Sequence, residues 1–242
     1  MGINNIGKLF YKDYYKEVDF NKVISGNESS PGKINQIIKK SPHLLINNPI
    51  GKEQCATISA TIMYPGLITG VGLEHNSKNI KGGYNLGMHF DYTWGMPVVY
   101  GSSVKGVLRE YFSEFYQGDI NVKDLVEDIF SGKVRNDKNA YDNKSIYKRD
   151  IFFDAVITKT CHGHLLEDDS ITPHGDNPLK NPLPITMLKV APGCTIEFRF
   201  RLVDSIVGGE VFTKEQKKAL FEKILKTVGV GAKTNVGYGQ LE

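Results

Sequence analysis

The residues best suited to chemistry lie near the carboxy-terminal end. Between Val228 and Gln240, the glycines Gly229, Gly231, Gly237 and Gly239 surround Ala232, Lys233, Thr234 and Tyr238. Four glycines in so short a stretch imply positive φ angles or very close backbone approach, because glycine costs chain entropy wherever neither is needed. Free N–H groups in such a loop form a concavity that suits anions, and Lys233 adds a positive charge, so a phosphate is the expected guest. A nucleotide-binding P-loop would need glycines six residues and one residue before Lys233, and a helix after Thr234. Thr227 and Ala232 occupy those two places, and the remaining residues are too few for a helix. The pattern therefore argues against an NTP-driven switch. A helix cap followed by a turn accounts for Gly229 but not for four glycines around a lysine.

Two other groups carry polar chemistry. Lys105 and Arg109 are four apart in a segment whose apolar stripe is Val104, Val107, Leu108, Tyr111, Phe112 and Phe115, so they share one side of a helix. Ser102 or Ser103 is its natural N-cap. The two cations have two readings, a solvated helix face or contacts to RNA. The second group lies in residues 159–184, which hold Cys161, His162, His164, Asp168, Asp169, Thr172 and His174. Cys161, His164, Asp169 and His174 could bind zinc, and Asp169 with His174 could act as a general acid–base pair. Neither a C-x-x-C pair nor a rigid flanking element supports these readings. The expectation is a polar insertion with no metal, no cofactor and no catalytic residue, because catalytic groups need rigid support.

The elements that must position these residues follow from periodicity. Residues 54–64 alternate, with Ala56, Ile58, Ala60 and Ile62 on one face, which predicts a strand. A helix is expected from about 102 to 116 and a shorter one over 119–130. A basic solvated loop is expected over 131–149 and a strand over 151–157. Residues 185–203 read as two strands hinged at Ala191–Gly193. In the second, Ile196, Phe198, Phe200 and Leu202 face in, and Glu197, Arg199 and Arg201 face out. Thr213 is expected to cap a last helix that buries Ala219, Leu220, Ile224, Leu225 and Val228. Residues 1–50 form an aromatic, lysine-rich amino-terminal extension, either packed on the core or ordered by a partner.

The chain has 242 residues and a formal charge of only +3, so any nucleic-acid surface must be local. Three scattered cysteines, no membrane-length apolar run and a polar amino terminus predict a soluble, cytoplasmic protein with no membrane partner.

Three stretches resemble the RAMP superfamily of CRISPR effector complexes: Gly229–Gly239, Gly101–Arg109 with Tyr100 in place of a usual proline, and the Asp154–Ala155 pair in its strand. The run Asp169-Ser170-Ile171-Thr172-Pro173-His174 is similar to a segment of the sixth subunit of the type III-B Cmr complex. The resemblance implies an α+β, ferredoxin-like (RNA-recognition-motif-type) domain over 51–242, with a thumb-like insertion at about 159–184. It further implies a non-catalytic RNA-binding subunit that holds the 3′ part of the guide RNA at the end of the backbone filament, in antiviral defence. Its partners would be the guide RNA, complementary target RNA, and the repeating backbone, small helical and double-RAMP subunits. The RNA contacts would come from Ser102, Ser103, Lys105 and Arg109 and from the glycine loop. Asp169, Thr172 and His174 would contact RNA or a neighbouring subunit. The alternative is a RAMP-type endoribonuclease that matures guide RNA.

Overall fold

A computed structural model describes residues 5–40, 55–72, 75, 79–172 and 184–242. The amino-terminal segment forms α1 (Ile6–Tyr11), a 3-10 turn (Asp13–Lys16), α2 (Phe20–Ile24) and α3 (Gly32–Lys40). Asn5 and Asp19 cap the first two helices by accepting from Lys8 and from Asn21 and Lys22. Ile6, Phe10, Tyr14, Ile34 and Ile38 belong to the same buried cluster as Ile58, Phe198 and Phe200. The described part of the extension, residues 5–40, is therefore packed against the rest of the chain and contributes to its core.

The central sheet is antiparallel. It contains β1 (Ala56–Thr61) and β2 (Val98–Val99), which leads into α4 (Gly101–Phe115). After α4 come α5 (Val122–Val126), a π-helical turn (Glu127–Ser131), β3 (Lys133–Arg135) and β4 (Tyr141–Asn143). The chain returns through β5 (Ile151–Phe152) and β6 (Ala155–Lys159). A ribbon of β7 (Leu166–Ile171) and β8 (Ile185–Val190) precedes β9 (Thr195–Arg201). A small hairpin, β10 (Ser205–Val207) and β11 (Glu210–Phe212), then leads into α6 (Lys214–Val228). The sheet order is β1-β9-β6-β2, with β5 also on β9. Beyond β1, Ile62 bridges Leu241 antiparallel, and Thr61 and Glu242 exchange N–H···O bonds of 2.8 and 3.0 Å. The apolar face of β9 meets the helices, with Phe200 and Phe221 ring centroids 5.5 Å apart.

Several expectations need correction. The basic loop contains the β3–β4 hairpin, whose three-residue polar strands leave no alternation to read. The strand expected over 151–157 is broken at Phe153–Asp154, because the Asp154 carboxylate turns to accept the Gly101 N–H at 2.7 Å. That contact replaces the expected cap: the N-cap residue is Tyr100, without a side-chain bond, and Ser102 and Ser103 lie exposed in the first turn of α4. Glu197 and Arg199 are buried, not exposed. They sit on the middle strand and neutralise each other at 2.8 Å. On α6 the buried face is Lys217, Phe221, Ile224 and Leu225, while Ala219 is exposed. Lys217 can be buried because Asp150 lies 2.6 Å from its ammonium and the Val203 carbonyl accepts at 2.7 Å. Finally, the insertion is regular where it is described: all six residues of β7 pair with β8.

Candidate nucleic-acid interface

α6 begins with a reciprocal capping box between Thr213 and Gln216 and ends where Gly229 takes φ 74°. The chain then folds back on itself. Val230 N–H donates to the Gly239 carbonyl at 2.9 Å, Ala232 N–H to the Ile68 carbonyl at 2.9 Å, and Gly239 N–H to the Gly66 carbonyl at 2.7 Å. A Cβ on Gly239 would lie 1.8 Å from the Val230 carbonyl oxygen, and one on Gly231 would lie 2.3 Å from that of Ile68. Close backbone approach therefore explains these two glycines before any ligand is considered.

Packing does not account for the middle of the loop. Lys233 adopts the left-handed conformation at φ 59°, and Thr234–Val236 follow as one 3-10 turn. The N–H groups of Val236, Gly237 and Tyr238 donate back to Lys233 and Thr234 carbonyls. Those of Lys233, Thr234 and Asn235 find no acceptor among the described residues. A left-handed residue followed by a right-handed one aims successive N–H groups at a common point, which is an anion-binding concavity. Lys233 is exposed beside it, with no ion pair among the described residues. Of the expected loop residues, those at 233–235 present three successive N–H groups without an acceptor among the described residues.

Tyr238 lies on the inner side of the loop, 6 % exposed. Its hydroxyl donates to Asp169 Oδ2 at 2.9 Å, and Lys189 Nζ reaches the same oxygen at 2.8 Å. Burial, and then the Asp169 carboxylate, push the Tyr238 hydroxyl up to about 12. Burial opposes ionisation of Asp169, but Lys189, the Ser170 N–H and the Tyr238 hydroxyl outweigh it and hold its carboxyl below the usual range. On the opposite face of β7, Asp168 accepts from Tyr84 at 2.7 Å and pairs with Lys39 of α3. Both carboxylates are thereby committed to structure. Thr172 is exposed at the end of β7, and His174 lies outside the described residues. Cys161 and His164 close a tight turn through their backbones. No group of three or more His, Cys, Asp or Glu among the described residues could hold a metal ion.

Around α4, Lys105 Nζ sits 5.8 Å from the centroid of the Phe152 ring, and Arg109 pairs with Glu127 at 3.5 Å. One segment, Leu67–Gly70, joins this region to the glycine loop. Its Ile68 carbonyl receives Ala232, and Thr69 Oγ1 donates to the Val98 carbonyl at 3.1 Å, just before α4. The His89 ring, 3.5 Å from Thr69 Oγ1, packs 4.5 Å from the ring of Tyr100. Sequence reasoning missed Ile68, Thr69 and His89. The feature of the sequence that marks this segment is the group of glycines at 66, 70 and 72.

The RAMP superfamily model matches residues 57–242. No curated protein sequence matches. A chain of the cryo-EM structure of the type III-B Cmr-beta complex bound to cognate target RNA is similar at 21 % identity, with a TM-score of 0.55 over 87 % of this chain and 70 % of that one. Cmr6 from Pyrococcus furiosus aligns at 19 % identity and TM-score 0.38, over 77 % of this chain and 97 % of that one. A chain of a type IV-B CRISPR complex aligns at 16 % identity and TM-score 0.40, over 77 % and 88 %.

Proposed function

Because this chain belongs to the RAMP superfamily, we propose that it is a non-catalytic, RNA-binding structural subunit of a type III-B CRISPR effector complex. It holds the 3′ part of the guide RNA at the end of the backbone filament in the cytoplasm, where that guide pairs with complementary target RNA in antiviral defence. Its neighbours are the repeating backbone subunit, the small helical subunit and the double-RAMP subunit. Its scaffold is ferredoxin-like, running from β1 through α4, β6, β9 and α6 to the Gln240–Glu242 segment that pairs beyond β1. The β7–β8 ribbon is the base of the thumb.

The observation that carries this reading is the set of three N–H groups at Lys233–Asn235 that have no acceptor among the described residues, presented by a loop that is clamped at Gly66 and Ile68. Main-chain donors and one lysine hold phosphates without reading bases, which leaves sequence recognition to the guide. Similarity to a chain of a target-bound type III-B complex adds support. RNA cleavage needs a base, an acid and charge stabilisation, or metals in their place. Asp169, which is bonded to the loop through Tyr238, is neutralised by Lys189.

The test is reconstitution of the complex with and without this chain, followed by nuclease protection of the guide. Protection of the 3′ part should depend on this chain. The purified chain, with and without divalent metal, should leave guide precursor and target RNA intact. Specific cleavage that disappears in both Asp169→Ala and His174→Ala would replace this reading with the guide-maturing endoribonuclease.

A further inference from the structure

We infer that the β3–β4 hairpin and the turn after it form a second contact for single-stranded RNA, separate from the glycine loop; this rests on the RNA-binding reading above. The first argument is charge. Residues 131–149 hold six of the chain's 30 Lys and Arg and two of its 27 Asp and Glu, so this segment is +4 and the remaining chain is −1. A chain of low net charge that concentrates its positive charge in one place has a local polyanion surface.

The second argument is which cations remain free. Acids of α5 and of the π-helical turn pin the hairpin, Asp124 beside its turn and Asp128 at its foot. Asp124 takes Arg135 at 3.5 Å and the Tyr141 hydroxyl at 2.5 Å, and Asp128 takes Lys144 at 2.6 Å. Arg149 Nε donates to the Lys144 carbonyl at 2.8 Å and closes the base. Within the segment, Asp142 accepts from Asn136. Lys133, Lys138 and Lys148 are exposed and have no ion pair among the described residues. The structure thus neutralises Arg135 and Lys144 and leaves Lys133, Lys138 and Lys148 for a ligand.

The third argument is the aromatic beside them. Tyr147 is 82 % exposed and its neighbour Ile146 65 % exposed, next to Lys148. An exposed ring among unpaired lysines offers a stacking surface for an unpaired base and charge for the adjoining phosphates, the combination that single-stranded nucleic acid uses. An acidic protein surface would use the lysines but would not call for the ring.

The experiment measures binding of a fluorescein-labelled 30-nucleotide oligouridine to the full chain over a range of salt concentrations. The K133A/K138A/K148A variant should lower the slope of log affinity against log salt by about 2, since each single-strand phosphate contact contributes about 0.7. Tyr147→Ala should weaken binding about tenfold at unchanged slope. Neither change touches an ion pair or the core, and unchanged melting temperatures check this. If wild type binds RNA and both variants match it, the hairpin contact is wrong while the glycine-loop reading stands. If the triple variant binds RNA normally but no longer joins the other subunits, the hairpin is a protein contact and the inference fails. If wild type binds no RNA, both readings fall.

Discussion

The hydroxyl of Tyr238 donates to the carboxylate of Asp169 at 2.9 Å, and this bond ties the glycine loop to the middle of the β7–β8 ribbon. Lys189 of β8 completes the knot at 2.8 Å. The loop's orientation is thus coupled to the insertion. Tyr238→Phe removes one charge-assisted hydrogen bond from a buried position and should cost about 1.5–3 kcal/mol. Asp169→Asn, which also loses the pairing with Lys189, should lower the melting temperature further, and the double variant should cost less than the sum of the two. Full retention of stability in Tyr238→Phe would show that the bond is not formed in solution.

The same contact sets a pH dependence. The folded-state pKa of Asp169 is depressed, so its contribution is fully present above the ordinary carboxylate value of 3.8 and is lost as pH falls through the lower folded value. The stability gap between wild type and Asp169→Asn should be wide at pH 5–7 and narrow steadily below pH 4. Denaturant titrations at several pH values measure it. A gap that widens on acidification would contradict the Lys189–Asp169 pairing.

Close approach and positive φ can be separated within one loop. Gly239→Ala places a methyl group 1.8 Å from a backbone oxygen, which must move. At Gly237 the nearest atom to an added Cβ is Pro65 Cδ at 3.4 Å, so alanine there meets only the strain of φ 98°, about 1–2 kcal/mol. Gly239→Ala should fail to fold or melt far below Gly237→Ala. Equal effects would mean that the packing of Val230 on Gly239 is not what fixes the loop.

The cap of α4 comes from 53 residues away. Asp154→Ala should cost about 1 kcal/mol, while Ser102→Ala and Ser103→Ala leave the melting temperature unchanged and are free to report on RNA contact. Circular dichroism melts of the three variants distinguish the local cap from the distant one.

These cases show what a sequence can and cannot carry. β1, α4 and α6 were legible because one face of each is buried, and burial writes a period of 2 or 3.6 into the residues. The tight glycine loop was legible because backbone at positive φ selects glycine. Asp154 and Lys217 were misplaced or missed because their partners, Gly101 and Asp150, are remote in sequence. Alternation put Glu197 and Arg199 on the second face of β9, but no pattern reveals that this face is closed. The role of Ile68 could not be read at all: it acts through its carbonyl oxygen, which every residue type possesses.

Lys233 is the residue on which the phosphate reading can be tested most cleanly. Its left-handed backbone at φ 59° is natural for glycine and strained for alanine or glutamate. Lys233→Gly therefore removes the charge while keeping the loop's shape, whereas Lys233→Ala removes the charge and retains the strain. If the lysine serves the phosphate, Lys233→Gly should weaken RNA binding by a similar factor for every sequence and lower the salt slope by about 0.7. Its melting temperature should be equal to wild type or higher. Lys233→Glu should bind more weakly than either, because the carboxylate would sit beside the N–H groups that the phosphate needs. The readout is anisotropy against two or more unrelated RNA sequences at several salt concentrations. A loss confined to one sequence would mean that the loop reads bases. Unchanged affinity in Lys233→Gly and Lys233→Glu alike would mean that the outward N–H groups at 233–235 are a turn left open to water, and that the RNA lies elsewhere.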